Sequence, residues 1–260
     1  MIDLSLWLAS NYKFNNISSY FYDKFPISSI AIGLIDYTAN VSSSNDLINA
    51  KIILRSTCSG ESSNFEEDDH GLFSSSLLVA QGQQIFRGLI PNANLFFYGF
   101  KPNDAITEVE LVSAINWLIE QQVQLICLPF GADTEVSAVT EVINKAVNLG
   151  ILIFAAVGND YPKPSLFPSC LGNVLSVGAL DQHYLSLDDC CRNPEPDCWL
   201  PGLKIPGLTG SGELAYRSGT SVACVLATGF AAHYLVKTKQ KSIKKNDFIN
   251  YIKELGVMRK

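Results

Sequence analysis

The 260-residue chain carries 19 Lys and Arg against 25 Asp and Glu, a formal net charge of −6, and 47% of its residues are hydrophobic. That balance suits a globular domain with a sizeable core and excludes a basic nucleic-acid-binding surface as the main function. The one basic run, 237–245, reads as a solvated helix end. The first ten residues lack the basic region and long apolar stretch of a signal peptide, and no uninterrupted apolar window has the length of a membrane span. The cysteines, at 58, 127, 170, 190, 191, 198 and 224, are odd in number, which leads to the expectation of reduced thiols in a cytoplasmic protein. Cys127 and Cys224 fall in apolar segments and read as core residues. Cys190, Cys191 and Cys198 cluster without a fourth ligand at metal-site spacing, so a local disulfide and free thiols both stay open, and no metal or cofactor is expected.

Residues 1–29 are polar and aromatic, with a short amphipathic stretch at 3–11, and read as an N-terminal surface extension to a domain over 30–260. The continuous apolar run Ile30–Ile35 predicts a strand buried on both faces of a parallel sheet. Asp36 stands at its carboxyl end, where open α/β sheets place functional groups. Further strands are predicted over 51–54, 94–98, 123–128, 151–157 and 174–177. Helices are predicted over 72–80 and 134–149, the latter with Gly150 as its C′ residue. Thr107 and Glu110 form a capping box opening another through Gln121, whose apolar face is read as Val109, Val112, Ile115, Trp117 and Ile119. A long apolar helix over 222–236 and a short one over 246–255 close the chain, with 188–212 taken as a loop. The alternation predicts an α/β fold with a mostly parallel central sheet.

Four groups in this frame carry chemistry. His70 lies at a loop-to-helix junction behind Glu66, Glu67, Asp68 and Asp69, acids whose field is expected to favour the imidazolium form. Ser221 follows a Gly-Thr turn at the start of the apolar helix, where it reads either as a helix cap or as a nucleophile near the positive end of the helix dipole. The order Asp36, His70, Ser221 is one of the orders in which the convergent Asp-His-Ser triad occurs. A serine hydroxyl needs an adjacent base, histidine supplies it, and a carboxylate fixes the tautomer of that histidine. Asn159, after a buried strand, is placed to donate its amide to a developing oxyanion.

Ile35-Asp36-Tyr37-Thr38, Asp69-His70-Gly71, the segment 155–160 around Gly158-Asn159, and Ser218-Gly219-Thr220-Ser221-Val222-Ala223 resemble, in order, the Asp, His, oxyanion and nucleophile motifs of the subtilisin-like serine proteases. Residues 88–93 and 167–179 add two further ordered matches, so the resemblance covers roughly 30–236. It implies a three-layer subtilisin-like fold, no cofactor, and a serine endopeptidase with Asp36, His70 and Ser221 as triad and Asn159 as oxyanion donor. It also implies that a peptide or protein substrate binds as an added strand between Tyr98–Lys101 (Tyr98 and Gly99 foremost) and Phe130, Gly131 and Ala132. Ala156 and Gly158 would wall the first specificity pocket, with Leu166 near its base favouring small or medium apolar side chains. Phe130 reads equally as an ordinary sheet-packing residue. No nucleic-acid or membrane partner is implied, and the family's pro-domain is expected to be absent or to lie outside this chain.

The sequence departs from the family pattern at Leu72-Phe73, where Thr-His is usual, at Thr38, where Gly is common, and at Val225, where Pro is usual. These departures keep a second class open, a non-catalytic peptide-binding module. Processing of a specific peptide or protein precursor is the role expected of the enzyme.

Overall fold

The computed structural model describes residues 1–12, 30–37, 40–57, 69–102 and 104–256. Seven strands form one sheet: β2 (Ala31–Tyr37), β3 (Ile52–Ser56), β5 (Asn94–Phe100), β6 (Leu125–Leu128), β7 (Leu152–Ala156), β8 (Leu175–Leu180) and β9 (Cys198–Pro201). Their order is β3-β5-β2-β6-β7-β8-β9 and every pairing is parallel. Helices cover both faces, so the strands read as unbroken apolar runs rather than alternating ones.

Side chains still alternate between the two faces with the strand period of two. Leu125 and Cys127 of β6, with Leu152 and Phe154 of β7, join the core under α2 (His70–Val79), α5 (Thr220–Thr238) and α6 (Lys245–Glu254). Ile126, Leu128, Ile153 and Ala155 join the opposite core under α3 (Glu108–Glu120) and α4 (Ser137–Asn148). This is the expected three-layer α/β architecture. α5 is apolar enough in length and composition to cross a membrane, but 78% of that apolar window is buried inside the protein, against β6 to β9 and the helices α2 and α6.

Thr107 caps α3 through a complete capping box, its hydroxyl accepting from Glu110 N–H and its own N–H donating to Glu110. Four of the five predicted face residues of α3 hold, with Ile115 and Trp117 buried and Val112 and Ile119 packed against the core. Leu111, Ala114, Ile115 and Leu118 face the core, at the i, i+3, i+4, i+7 spacing of a helix face, whereas Val109 is 73% exposed. Gly150 follows α4 with φ +85°, as its C′ position requires.

Two readings are corrected. The N-terminal stretch is not a surface extension over residues 1–12, because β1 (Ile2–Asp3) pairs with β4 (Phe86–Arg87) and α1 (Leu4–Tyr12) buries Leu4, Leu8 and Tyr12 in the core shared with α5. The Tyr12 hydroxyl donates to Leu203 C=O at 3.1 Å and accepts from Leu203 N–H at 3.2 Å, and burial pushes its pKa up to about 12. Residues 13–29 lie outside the described residues. The segment 188–212 is not one loop, for it holds β9 and β10 (Ile205–Leu208), and β10 forms a hairpin with β11 (Leu214–Arg217).

Candidate active site

Asp36 is the penultimate residue of β2 and only 2% exposed. His70 is the first residue of α2, and the next residue decides how closely that helix can approach the strand. A methyl group at Gly71 would collide with the Tyr37 carbonyl and with Phe97. Glycine therefore lets α2 start directly against the end of β2, bringing His70 Nδ1 to 2.7 Å and 2.9 Å from the two Asp36 carboxylate oxygens. A carboxylate only accepts, so Nδ1 carries the proton and the neutral ring keeps Nε2 as its acceptor. Asp36 is further held by Tyr37 N–H at 2.7 Å and by the Ser74 hydroxyl at 2.7 Å, from the next turn of α2.

Asp69, the residue before His70, pairs with Arg217 and accepts from Gly210 N–H at 2.8 Å. Its charge is thereby compensated, which removes it as a free acid acting on His70. Glu66, Glu67 and Asp68 lie outside the described residues. The Arg217 guanidinium lies 4.9 Å from the Phe73 ring centroid, so this pair ties the histidine segment to the serine segment.

Ser221 is the second residue of α5 and half-buried. Gly219 before it has φ +136° and ψ 173°, a backbone shape open to glycine and closed to residues with a side chain. The helix is not capped by Ser221. Thr220 N–H instead donates to Asn159 Oδ1 at 3.0 Å, and Gly158 N–H donates to the Thr220 hydroxyl at 3.2 Å. That bond orients the Asn159 amide, because its oxygen must face Thr220 and its NH2 is left to donate elsewhere. Neither the hydroxyl nor the N–H of Ser221 bonds to another described residue. His70 and Ser221 line one cavity of about 200 Å3 with Phe73, Ser74, Arg217 and Ser218. His70, the Ser221 hydroxyl and the Asn159 amide bonded to Thr220 thus lie at the carboxyl end of the sheet and the start of a buried helix.

The subtilase family's sequence profile matches residues 29–257. The chain belongs to the subtilase family. Similar proteins include the thermostable alkaline protease of Halalkalibacterium halodurans, 28% identical over 192 residues, which are 72% of this chain and 52% of that protein. Subtilisin DY of Bacillus licheniformis is 26% identical over 217 residues, 81% of this chain and 78% of its own length. Among solved structures, the patellamide maturation protease PatG shares the fold with a TM-score of 0.77 at 17% identity, covering 92% of this chain and 85% of that one. The chain spans about half the length of several curated relatives it matches, 52%, 42% and 46% of three of them.

The places where this subtilase departs from the family pattern are accommodated by packing. Phe73 sits between Arg217 and the hairpin, where a methyl at Gly207 would meet its ring at 2.6 Å. Leu72 and Val225 are each 1% exposed core residues, and α5 continues through Val225 without interruption. Thr38 lies outside the described residues.

The expected substrate segments divide. Tyr98 and Gly99 cannot receive a strand, because β5 lies inside the sheet: Gly99 is paired with Asp36 on one side and Ser56 on the other, and its carbonyl accepts from Thr57 N–H at 3.0 Å. Strand addition needs an open edge. On this side Ile106 and Thr107 line an apolar cavity of about 220 Å3 together with Tyr37, Leu111, Phe130 and Val136. Phe130 both lines this cavity and packs on the core under α3 and α4.

Ala132 already exchanges both main-chain hydrogen bonds with Phe167, at 2.8 Å and 2.9 Å. Phe130 and Gly131 keep main-chain groups that no described residue pairs. Ala156 is 3% exposed and belongs to the core under α5, which leaves Gly158 as the nearer wall beside Asn159. The Asp36–Ser74 bond escaped sequence reading; a polar residue four positions after His70, on the same helix face, was its only signal.

Proposed function

We propose that the chain is a serine endopeptidase that cuts a peptide or protein precursor at a specific site. The observation that carries this reading is the pair of contacts between His70 Nδ1 and a buried Asp36, with His70 lining one cavity with a Ser221 hydroxyl that bonds to no other described residue. Substrate lies as an extended strand along the unpaired main chain of Phe130 and Gly131, with an upstream apolar side chain in the cavity between Phe130 and Ile106.

Ser221 Oγ attacks the scissile carbonyl carbon while His70 Nε2 takes its proton. The carbonyl oxygen becomes an oxyanion facing Asn159 Nδ2 and the Ser221 N–H. His70 then passes the proton to the leaving amine, and the acyl group remains as an ester on Ser221. A water molecule, deprotonated by His70, attacks that ester, and Ser221 departs with the proton restored. Asp36 holds the ring and stabilises each imidazolium stage without accepting the proton itself. A cytoplasmic setting is part of this proposal; burial pushes the Cys190 thiol up to about 11, which keeps it unreactive there.

The test is covalent and kinetic together. A fluorophosphonate is expected to add one mass increment at Ser221, and Ser221→Ala is expected to abolish both the label and cleavage of a peptide library. An unlabelled serine, or cleavage unchanged by Ser221→Ala, would mean that the chain is a peptide-binding module rather than a protease.

A further inference from the structure

The turn that presents Ser221 hangs on a short link between two strands. β9 ends at Pro201 and β10 begins at Ile205, and the residues between them bond to the two that precede Thr220. Gly202 C=O accepts from Gly219 N–H at 2.8 Å, and Lys204 N–H donates to the Ser218 hydroxyl at 2.9 Å. Gly202 also packs tightly, for a methyl group there would stand 2.5 Å from Ala179 Cβ and 2.9 Å from the Gly219 carbonyl oxygen. The position of this link therefore sets the position of Gly219. Gly219 in turn opens α5, its carbonyl accepting from Ala223 N–H at 3.3 Å.

Leu203, the middle residue of the link, is held from the other end of the chain. Tyr12 is the last residue of α1 and 1% exposed, and its hydroxyl serves both main-chain groups of Leu203. It donates to the C=O at 3.1 Å and accepts from the N–H at 3.2 Å. Leu180 C=O, which accepts from Gly202 N–H at 2.9 Å, lies 3.4 Å from the same hydroxyl. Tyr12 is itself fixed, because its carbonyl accepts from the Tyr184 hydroxyl and Leu4 and Leu8 anchor α1 in the core. We propose that Tyr12 is a positioning residue for Ser221, so that the N-terminal helix serves catalysis as well as the core, an inference that rests on the endopeptidase reading above.

Tyr12 is not among the residues that line the cavity of His70 and Ser221. It acts through Leu203, Gly202 and Gly219 on where the Ser221 hydroxyl stands relative to His70. Attack is steep in geometry, a misplacement of about 1 Å costing about 100-fold in rate. Without the phenol hydroxyl, the N–H and C=O of Leu203 lose their shared partner, and the link that carries Gly219 is freer to shift. The peptide strand runs along Phe130 and Gly131, away from this link, so the loss falls on the chemical step rather than on binding.

The experiment compares wild type with Tyr12→Phe, which keeps the buried ring and removes only the hydroxyl, and with Ser218→Ala, which cuts the bond from Lys204. Leu4→Ala is the control, since it loosens α1 two turns away from Tyr12. Circular dichroism confirms folding, and kcat, KM, the rate of fluorophosphonate labelling at Ser221 and the urea midpoint are measured on each. Tyr12→Phe is expected to lower kcat and the labelling rate alike, about 10-fold, with KM within about 2-fold of wild type. Ser218→Ala is expected to do the same, and the double variant to lose less than the product of the two single losses, because both act through one link. Leu4→Ala is expected to lower the urea midpoint while the folded enzyme keeps kcat within about 2-fold. A folded Tyr12→Phe enzyme with wild-type kcat and labelling rate would overturn the proposal, as would equal kcat losses in Tyr12→Phe and Leu4→Ala. If Tyr12→Phe does not fold, wild-type kcat in Ser218→Ala overturns it alone. Absence of both labelling and cleavage in wild type would instead overturn the endopeptidase reading.

Discussion

Removing one hydroxyl, by Ser74→Ala, probes whether Asp36 works as a fixed carboxylate or merely as a nearby one. Asp36 is 2% exposed and takes hydrogen bonds from three partners, the Ser74 hydroxyl, Tyr37 N–H and His70 Nδ1. A hydrogen bond to a buried charge contributes about 1.5–3 kcal/mol, roughly twice a neutral one. Without Ser74, Oδ2 keeps, among the described residues, only its 2.9 Å contact to the imidazole, and the carboxylate is freer to turn.

Two consequences follow for Ser74→Ala. Stability is expected to fall by about 1.5–3 kcal/mol. The plateau kcat/KM is expected to fall about 10-fold through loss of orientation, since a 10-fold loss needs only about 1.4 kcal/mol. The pH dependence carries a sign. Activity rises as the His70 ring loses its proton, and a donor such as Ser74 draws charge away from the carboxylate. Deleting that donor leaves more negative charge facing the ring, which favours its protonated form, so the rise should move to higher pH. Ser75→Ala is the matched control, since the Ser75 hydroxyl is equally buried but donates to the neutral Gly71 carbonyl at 2.7 Å. It should cost about 1 kcal/mol of stability and leave the pH profile in place. Urea denaturation and a pH series of kcat/KM measure both quantities. A Ser74→Ala enzyme with wild-type plateau activity and an unmoved pH midpoint refutes the positioning role.

Asn159→Ala should lower kcat with little change in KM, because its amide meets charge only in the transition state; the loss established for the equivalent donor of subtilisin is about 10²–10³-fold. Steady-state kinetics on one good peptide decide it, and a rise in KM alone would contradict the oxyanion role. Leu8→Ala should destabilise the protein by about 2–5 kcal/mol, as for a fully buried leucine. A urea midpoint equal to wild type would mean that α1 is dispensable to the core.

The local chemistry of the chain was legible where a residue type answers to a local rule. The Thr107–Glu110 capping box and the Gly150 helix end are satisfied within a few residues of themselves, so sequence neighbours suffice to predict them. The apolar runs announced the central strands because a sheet covered on both faces leaves them no polar side. Reading went astray where the deciding partner is distant in the chain. Val109 fits a helical stripe but turns to solvent, since α3 is oriented by contacts with α4 and the sheet rather than by its own pattern. The run 198–201 is too short to show a period and becomes a strand only because β8 offers it an edge. α1 looks like a surface helix until Leu180 and Leu203 supply partners for Tyr12.

The site divides along the same line. Asp36, His70, Asn159 and Ser221 could be named from the sequence because each is embedded in a short motif with its own backbone requirement, such as Gly71 against Tyr37 or Gly219 at its positive φ. Which groups they use was decided by tertiary structure. Only the folded chain shows that Asn159 rather than Ser221 satisfies the first turn of α5, that Arg217 neutralises Asp69, and that Ser74 braces Asp36. Likewise Tyr98 and Gly99 lose their expected substrate role because β5 has neighbours on both sides, and Leu166 stands between two glycines that lie 35 and 8 positions away from it in the chain. Residue type sets what a side chain can do; packing between remote segments sets which atoms it meets.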